Sequence, residues 1–104
     1  MKVHLIHFLL ALCMVKSAEG AVLHVGKHTH PYSTITQALE DTHPGDTVII
    51  HNGMYKEGNL IIDKPLTIIG DSMPTLDGDY RFEVLTITGS HITISGLRIQ
   101  HSGF

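Results

Sequence analysis

Cysteine is nearly missing from this chain: of 104 residues one is Cys, at position 13, and none is Trp. With so few thiols, neither a disulfide framework nor a thiolate metal centre can be built, and stability has to come from packing. Lysine and arginine are also sparse, seven against ten acidic residues. Lys27, Lys56, Lys64, Arg81 and Arg98 stand singly, so no basic patch interleaved with aromatics exists to neutralise a run of phosphates, which excludes a nucleic-acid partner. Long apolar runs are absent too. The longest, Leu5 to Val15, is about eleven residues and is broken by His7, well short of the roughly 20 that a membrane-spanning helix needs. Nor is there a Gly-x-Ser-x-Gly elbow for a serine nucleophile. The length allows one small domain or a piece of a larger one.

What is present begins with a leader. MKVH carries an early positive charge, LIHFLLALCMV is the apolar stretch, and KSAEG ends in small residues, the layout of a secretory signal peptide over residues 1–20. Cleavage is expected between Gly20 and Ala21, placing residues 21–104 in the periplasm or outside the cell. Leu12 is too bulky to precede a lipidated cysteine, and cleavage removes Cys13.

In the remainder, Ile35, Ala38 and Leu39 fall at i, i+3 and i+4, predicting a helix of about two turns. Thr34 and Gln37 have capping-box spacing, and His43-Pro44-Gly45 ends the element. After Asp46 the pattern is β: TVII, NLIID, LTII, VLTIT, ITIS and LRI, separated by corners such as Asn52-Gly53, Asp63-Lys64-Pro65, Asp77-Gly78 and Gly89-Ser90. LTIIG at Leu66–Gly70 returns as LTITG at Leu85–Gly89. Short strands that recur at varied corners suit a parallel solenoid better than hairpins, which favour two-residue turns. We therefore expect an all-β right-handed parallel β-helix of about three coils, TVII stacked on LTII on ITIS and NLIID on VLTIT, with the helix capping the first coil. Ile94, Leu97 and Ile99 would lie in a coil with no successor, suggesting the N-terminal part of a longer domain.

The run YSTITQALEDTHPGDTVIIHNGMYKEGNLIIDKPLTIIG, continuing through PTLDG to VLTITGSHITISGLRIQHSG, resembles the opening coils of the pectin-lyase-like β-helix superfold. More narrowly, its ITISGLRI-x-x-SG segment resembles NosD-type proteins. That resemblance implies a periplasmic accessory protein that assists copper or sulfur delivery to nitrous oxide reductase together with an ABC transporter, without catalysing a reaction. Its PGDTV, Gly-x-Tyr and DKPLTI elements also occur in polysaccharide lyases, so the alternatives are the N-terminal fragment of a lyase or epimerase, with polysaccharide as partner, and a non-catalytic surface or adhesion solenoid.

No catalytic residue is assigned. Asp63, Asp71, Asp77, Asp79 and Glu83 read as turn formers rather than as a calcium-binding lyase cluster. Tyr55, Tyr80 and Phe82 read as caps on coil edges rather than sugar platforms. Seven histidines follow the leader, and His28-Thr29-His30 puts two on one side of an extended loop with His24 close behind. Imidazole suits Cu(II), Zn and Ni. The expected metal ligands are His28 and His30 with His24, copper being the expected metal, held above the imidazole pKa because protons compete for the same nitrogens. The competing reading is loop histidines without fixed geometry.

Overall fold

The computed structural model describes residues 20–103, and the expected leader lies outside them up to residue 19. Among the described residues, runs of β-branched residues produce nine short strands, and the i, i+3, i+4 apolar spacing produces one helix. These are β1 (Val22–Val25), α1 (Ile35–Glu40), β2 (Thr47–Ile50), β3 (Met54–Tyr55), β4 (Leu60–Ile62), β5 (Thr67–Gly70), β6 (Thr75–Asp77), β7 (Leu85–Ile87), β8 (Thr93–Ser95) and β9 (Arg98–Gln100).

Every strand pairing is parallel, in three sheets ordered β1-β2-β5-β8, β3-β6-β9 and β4-β7. This is a parallel β-solenoid of about three turns. TVII lies on LTII, which lies on ITIS, through Thr47↔Thr67↔Thr93. NLIID lies on VLTIT through Leu60↔Leu85. Two features go beyond the sequence reading: VLHV forms an additional first strand, Val22↔Thr47, and the two- and three-residue strands β3, β6 and β9 form a sheet of their own.

Because side chains alternate across a strand, the registered rows have opposite fates. Leu23, Val48 and Ile68 form one buried row, and Val25 and Ile50 another. Tyr55 and Leu76 from the second sheet and Leu60 and Ile62 from the third close the core. His24 takes an outward position, in line with Ile49 and Ile69.

Helix α1 packs on β1, β2 and β4, burying Ile35 and Ala38 while Leu39 is half-buried against the core. Thr34 Oγ1 accepts from the Gln37 N–H at 3.2 Å, as the capping spacing predicts. Gln37 does not complete the box; its Oε1 accepts from Ser33 Oγ at 3.4 Å. The Glu57 carboxylate from the following coil caps the next two amides instead. It accepts from the Ile35 and Thr36 N–H groups at 2.8 and 2.9 Å and from Thr36 Oγ1 at 2.7 Å, satisfying amides that have no partner inside the helix and favouring its N-terminal dipole.

The buried Asp46 carboxylate fastens the first coil. It accepts from the Ala21 N–H and the His43 N–H, both at 2.8 Å, and the His43 bond, then the Ala21 bond, hold it below the ordinary carboxylate range although burial opposes this.

Candidate metal centre

Three imidazoles meet at one edge of the four-stranded sheet. His24 projects outward from β1. His51 follows Ile50 at the end of β2, where the ladder extends one step: its N–H donates to the Val25 carbonyl at 2.9 Å and its carbonyl accepts from the buried Tyr55 Oη at 2.7 Å. Backbone position at His51 is thereby fixed from both sides.

His30 arrives on the loop between β1 and α1. That loop folds back on itself, with the Gly26 N–H donating to the Tyr32 carbonyl at 2.9 Å and the Tyr32 N–H to the His24 carbonyl at 3.2 Å. Gly26 makes this possible, since a Cβ there would stand 2.1 Å from His30 Cδ2. His30 consequently lies face to face with His51, ring centroids 3.9 Å apart and planes 7° apart. His24 stacks on His51 at 5.2 Å and on His30 at 6.0 Å.

One potential ligand atom from each ring lies within 4.8 Å of the other two. Among the described residues this is the one group of three or more His, Cys, Asp or Glu side chains with metal-holding spacing. Imidazole–metal bonds of about 2.0–2.1 Å place tetrahedral ligand atoms roughly 3.4 Å apart, so the His24 Nδ1–His51 Nε2 pair, at 2.9 Å, must open by about 0.5 Å, no other pair need close by more than about 1.4 Å, and the rings must turn out of their stack. All three are half-buried. The donor set, three neutral nitrogens without sulfur, suits Cu(II), Zn or Ni and leaves further coordination positions open to solvent.

Partial burial among its neighbours, then positive charge on His51 and on His24, pushes the His30 pKa down; the Asp71 carboxylate opposes the shift. Asp71 Oδ2 lies 3.0 Å from His51 Nδ1, and His51 Nε2 lies 2.9 Å from His24 Nδ1.

The structure brings two of the expected ligands, His24 and His30, together. His28 is exposed and stands outside the cluster, because the loop turns back rather than running extended. His51 takes the third place. Sequence spacing hid it, since it lies far along the chain from His24; the clue would have been to pair VLHV with TVII, which sets the two histidines on adjacent coils.

Of the acidic residues, Asp71 reaches His51, whereas Asp77 and Glu83 are engaged elsewhere. Asp77 accepts from the Asp79 N–H at 2.8 Å, a turn contact, and lies 3.1 Å from His101 Nδ1; Glu83 accepts from Thr86 Oγ1 at 3.2 Å. Of the aromatics, Tyr55 is core, whereas Tyr80 is 72% exposed and stacks on His101. A separate groove of about 300 Å³ lies between α1 and β4, lined by Leu39, Glu40, Asp63 and Lys64, and Lys64 Nζ there donates to the Thr42 carbonyl at 2.8 Å. Compared with protein-family models, curated proteins and solved structures, the chain matches none of them.

Proposed function

We propose that this chain is an exported β-solenoid accessory protein that holds a transition-metal ion, Cu(II) foremost, through His24, His30 and His51 and passes it on. The observation that carries the reading is the convergence of three imidazoles from two successive coils and one folded loop. Their exposed edge supports transfer rather than storage, because open positions let a partner's donors join the ion before the solenoid's ligands leave. The engagement of Asp77 and Glu83 in turn and local contacts supports a non-catalytic role. On this reading the partners are those the NosD resemblance implies, an ABC transporter and nitrous oxide reductase.

The test titrates the chain with Cu(II) and, separately, Zn(II), read by calorimetry and thermal unfolding. One ion per chain is expected, with stabilisation of about 2.7 kcal/mol at a free metal concentration 100 times Kd. His24→Ala, His30→Ala and His51→Ala should each weaken binding, and His28→Ala should not. Unchanged binding in a His30→Ala/His51→Ala double variant refutes the site. For the delivery role, nitrous oxide reductase co-expressed with the chain should contain less copper when His51→Ala replaces it; an unchanged copper content refutes delivery.

A further inference from the structure

The His51 contacts form a line along the solenoid axis. Asp71 follows β5 as His51 follows β2, and Gly70 registers on Ile50, so the carboxylate lies one coil beyond His51 on the side away from His24. The Asp71 N–H donates to the Ile50 carbonyl at 2.8 Å, which fixes its backbone independently of its side chain. Neighbouring acceptors are accounted for: Asp71 Oδ1 accepts from Ser72 Oγ at 3.3 Å, leaving Oδ2 to face His51.

The hydrogen positions follow from what each atom can do. A carboxylate oxygen only accepts, so the 3.0 Å contact requires the proton on His51 Nδ1. With His51 neutral, its Nε2 then carries an in-plane lone pair that faces His24 Nδ1. His24 Nδ1, 2.9 Å from that lone pair, must carry a proton and donate it. A single carboxylate thus sets the tautomers of two imidazoles in two different coils.

We infer that Asp71 is the positioning residue of this centre, the carboxylate of a carboxylate–histidine–metal triad that holds His51 Nε2 as a ready lone pair for a divalent transition metal. The inference rests on the metal-binding reading above and deepens it. A ligating imidazole whose second nitrogen donates to a carboxylate is locked in orientation and made a stronger base. In the line His24–His51–Asp71 the ion takes the place of the bridging proton between His24 Nδ1 and His51 Nε2. If Nδ1 is the ligand atom, that proton moves to His24 Nε2, and His24 stays neutral. The negative charge one coil away offsets part of the ion's charge without occupying a coordination position.

The test uses the full chain with ¹⁵N-labelled histidine and Zn(II) as the probe, alongside Asp71→Ala and Asp71→Asn. Without metal, the imidazole ¹⁵N shifts should show His51 as the Nδ1–H tautomer in the parent chain and in Asp71→Asn, whose side-chain oxygen still accepts, and a tautomer mixture in Asp71→Ala. Zn(II) affinity should fall about tenfold in Asp71→Ala, the low end for outer partners of metal ligands because this carboxylate is half exposed, and by less in Asp71→Asn. Thermal unfolding of the metal-free variants checks that both fold. Equal tautomers and equal affinity in Asp71→Ala and the parent overturn the inference while leaving the three-histidine site standing. If the parent chain binds no Zn(II) or Cu(II), the site and this inference fail together. An Asp71→Asn variant as impaired as Asp71→Ala overturns the tautomer argument and assigns the effect to charge.

Discussion

Gly26→Ala separates the metal centre from the fold that carries it. Gly26 is buried at the start of the loop that brings His30 over His51, and its backbone is not among the positive-φ glycines, so alanine meets no conformational penalty there. The three atoms nearest the added Cβ all belong to His30: Cδ2 at 2.1 Å, Cγ at 2.9 Å and Nε2 at 3.0 Å. Carbon–carbon contact needs roughly 3.5 Å, so the ring must retreat by about 1.4 Å. The face-to-face contact with His51 is then lost, and the His30 nitrogen leaves a shell whose bonds are about 2.0–2.1 Å long. Reducing three ligands to two should cost at least about tenfold in affinity, or ~1.4 kcal/mol. Stability without metal should change little, because a side chain at the edge can swing away and alanine restricts the unfolded chain more than glycine does. Competition titration against a chromophoric chelator, paired with urea unfolding of the metal-free protein, measures both quantities. Parent-like affinity for Cu(II) and Zn(II) would refute the placement of His30 in the centre; a loss of stability of several kcal/mol would refute the claim that only His30 is displaced.

Leu39→Asp puts a charge on the half-buried face that α1 turns to the core and should destabilise the chain by about 2–4 kcal/mol, seen as a lower thermal midpoint; an unchanged midpoint would refute the lid role of the helix. Asp46 gives a pH dependence. Its folded pKa lies below the ordinary value of 3.8 because the His43 and Ala21 amides donate to it, so its contribution is complete above that value and is lost as pH falls through the depressed folded one. Urea midpoints for the parent should therefore fall more steeply between pH 5 and pH 2 than for Asp46→Asn, and parallel curves would contradict the assignment.

Where β-branched residues run over three or more positions, the sequence discloses its pairing partners: TVII, LTII and ITIS each set a Thr directly before a Val or Ile, and the register that aligns those threonines keeps Val48, Ile68 and Ile94 in line. The second sheet is legible only in part: LRI discloses the strand at Arg98–Gln100, whereas Met54–Tyr55 and Thr75–Asp77 sit among Gly, Pro and Asp corners that hide them. VLHV escapes notice because it lies directly behind a leader, where apolar residues have another explanation. The site suffers from that omission. Without β1 there is no coil to set His24 above His51, and the loop after it reads as extended when its backbone bonds turn it back, sending His28 outward and His30 inward. The reciprocal half of the helix cap fails for a similar reason: Glu57, a residue of the next coil, caps the Ile35 and Thr36 amides, and Gln37 turns to Ser33 instead of back to the Thr34 amide.

The line from His24 through His51 to Asp71 runs across the coils, so chain length and site geometry are decoupled in an unusual way. Lengthening the corner at Asp63-Lys64-Pro65 or at Glu57-Gly58 leaves the addresses of all these side chains untouched, because each is counted from the strand that precedes it. Deleting one residue inside β2 does the opposite. It turns the strand's alternation inside out from that point, sends an imidazole toward the core and presents an isoleucine to the metal edge. The coordination sphere therefore tolerates drift at the corners and none within the strands, and a new ligand could be recruited simply by changing one outward residue in a neighbouring coil, with no change to the path of the backbone.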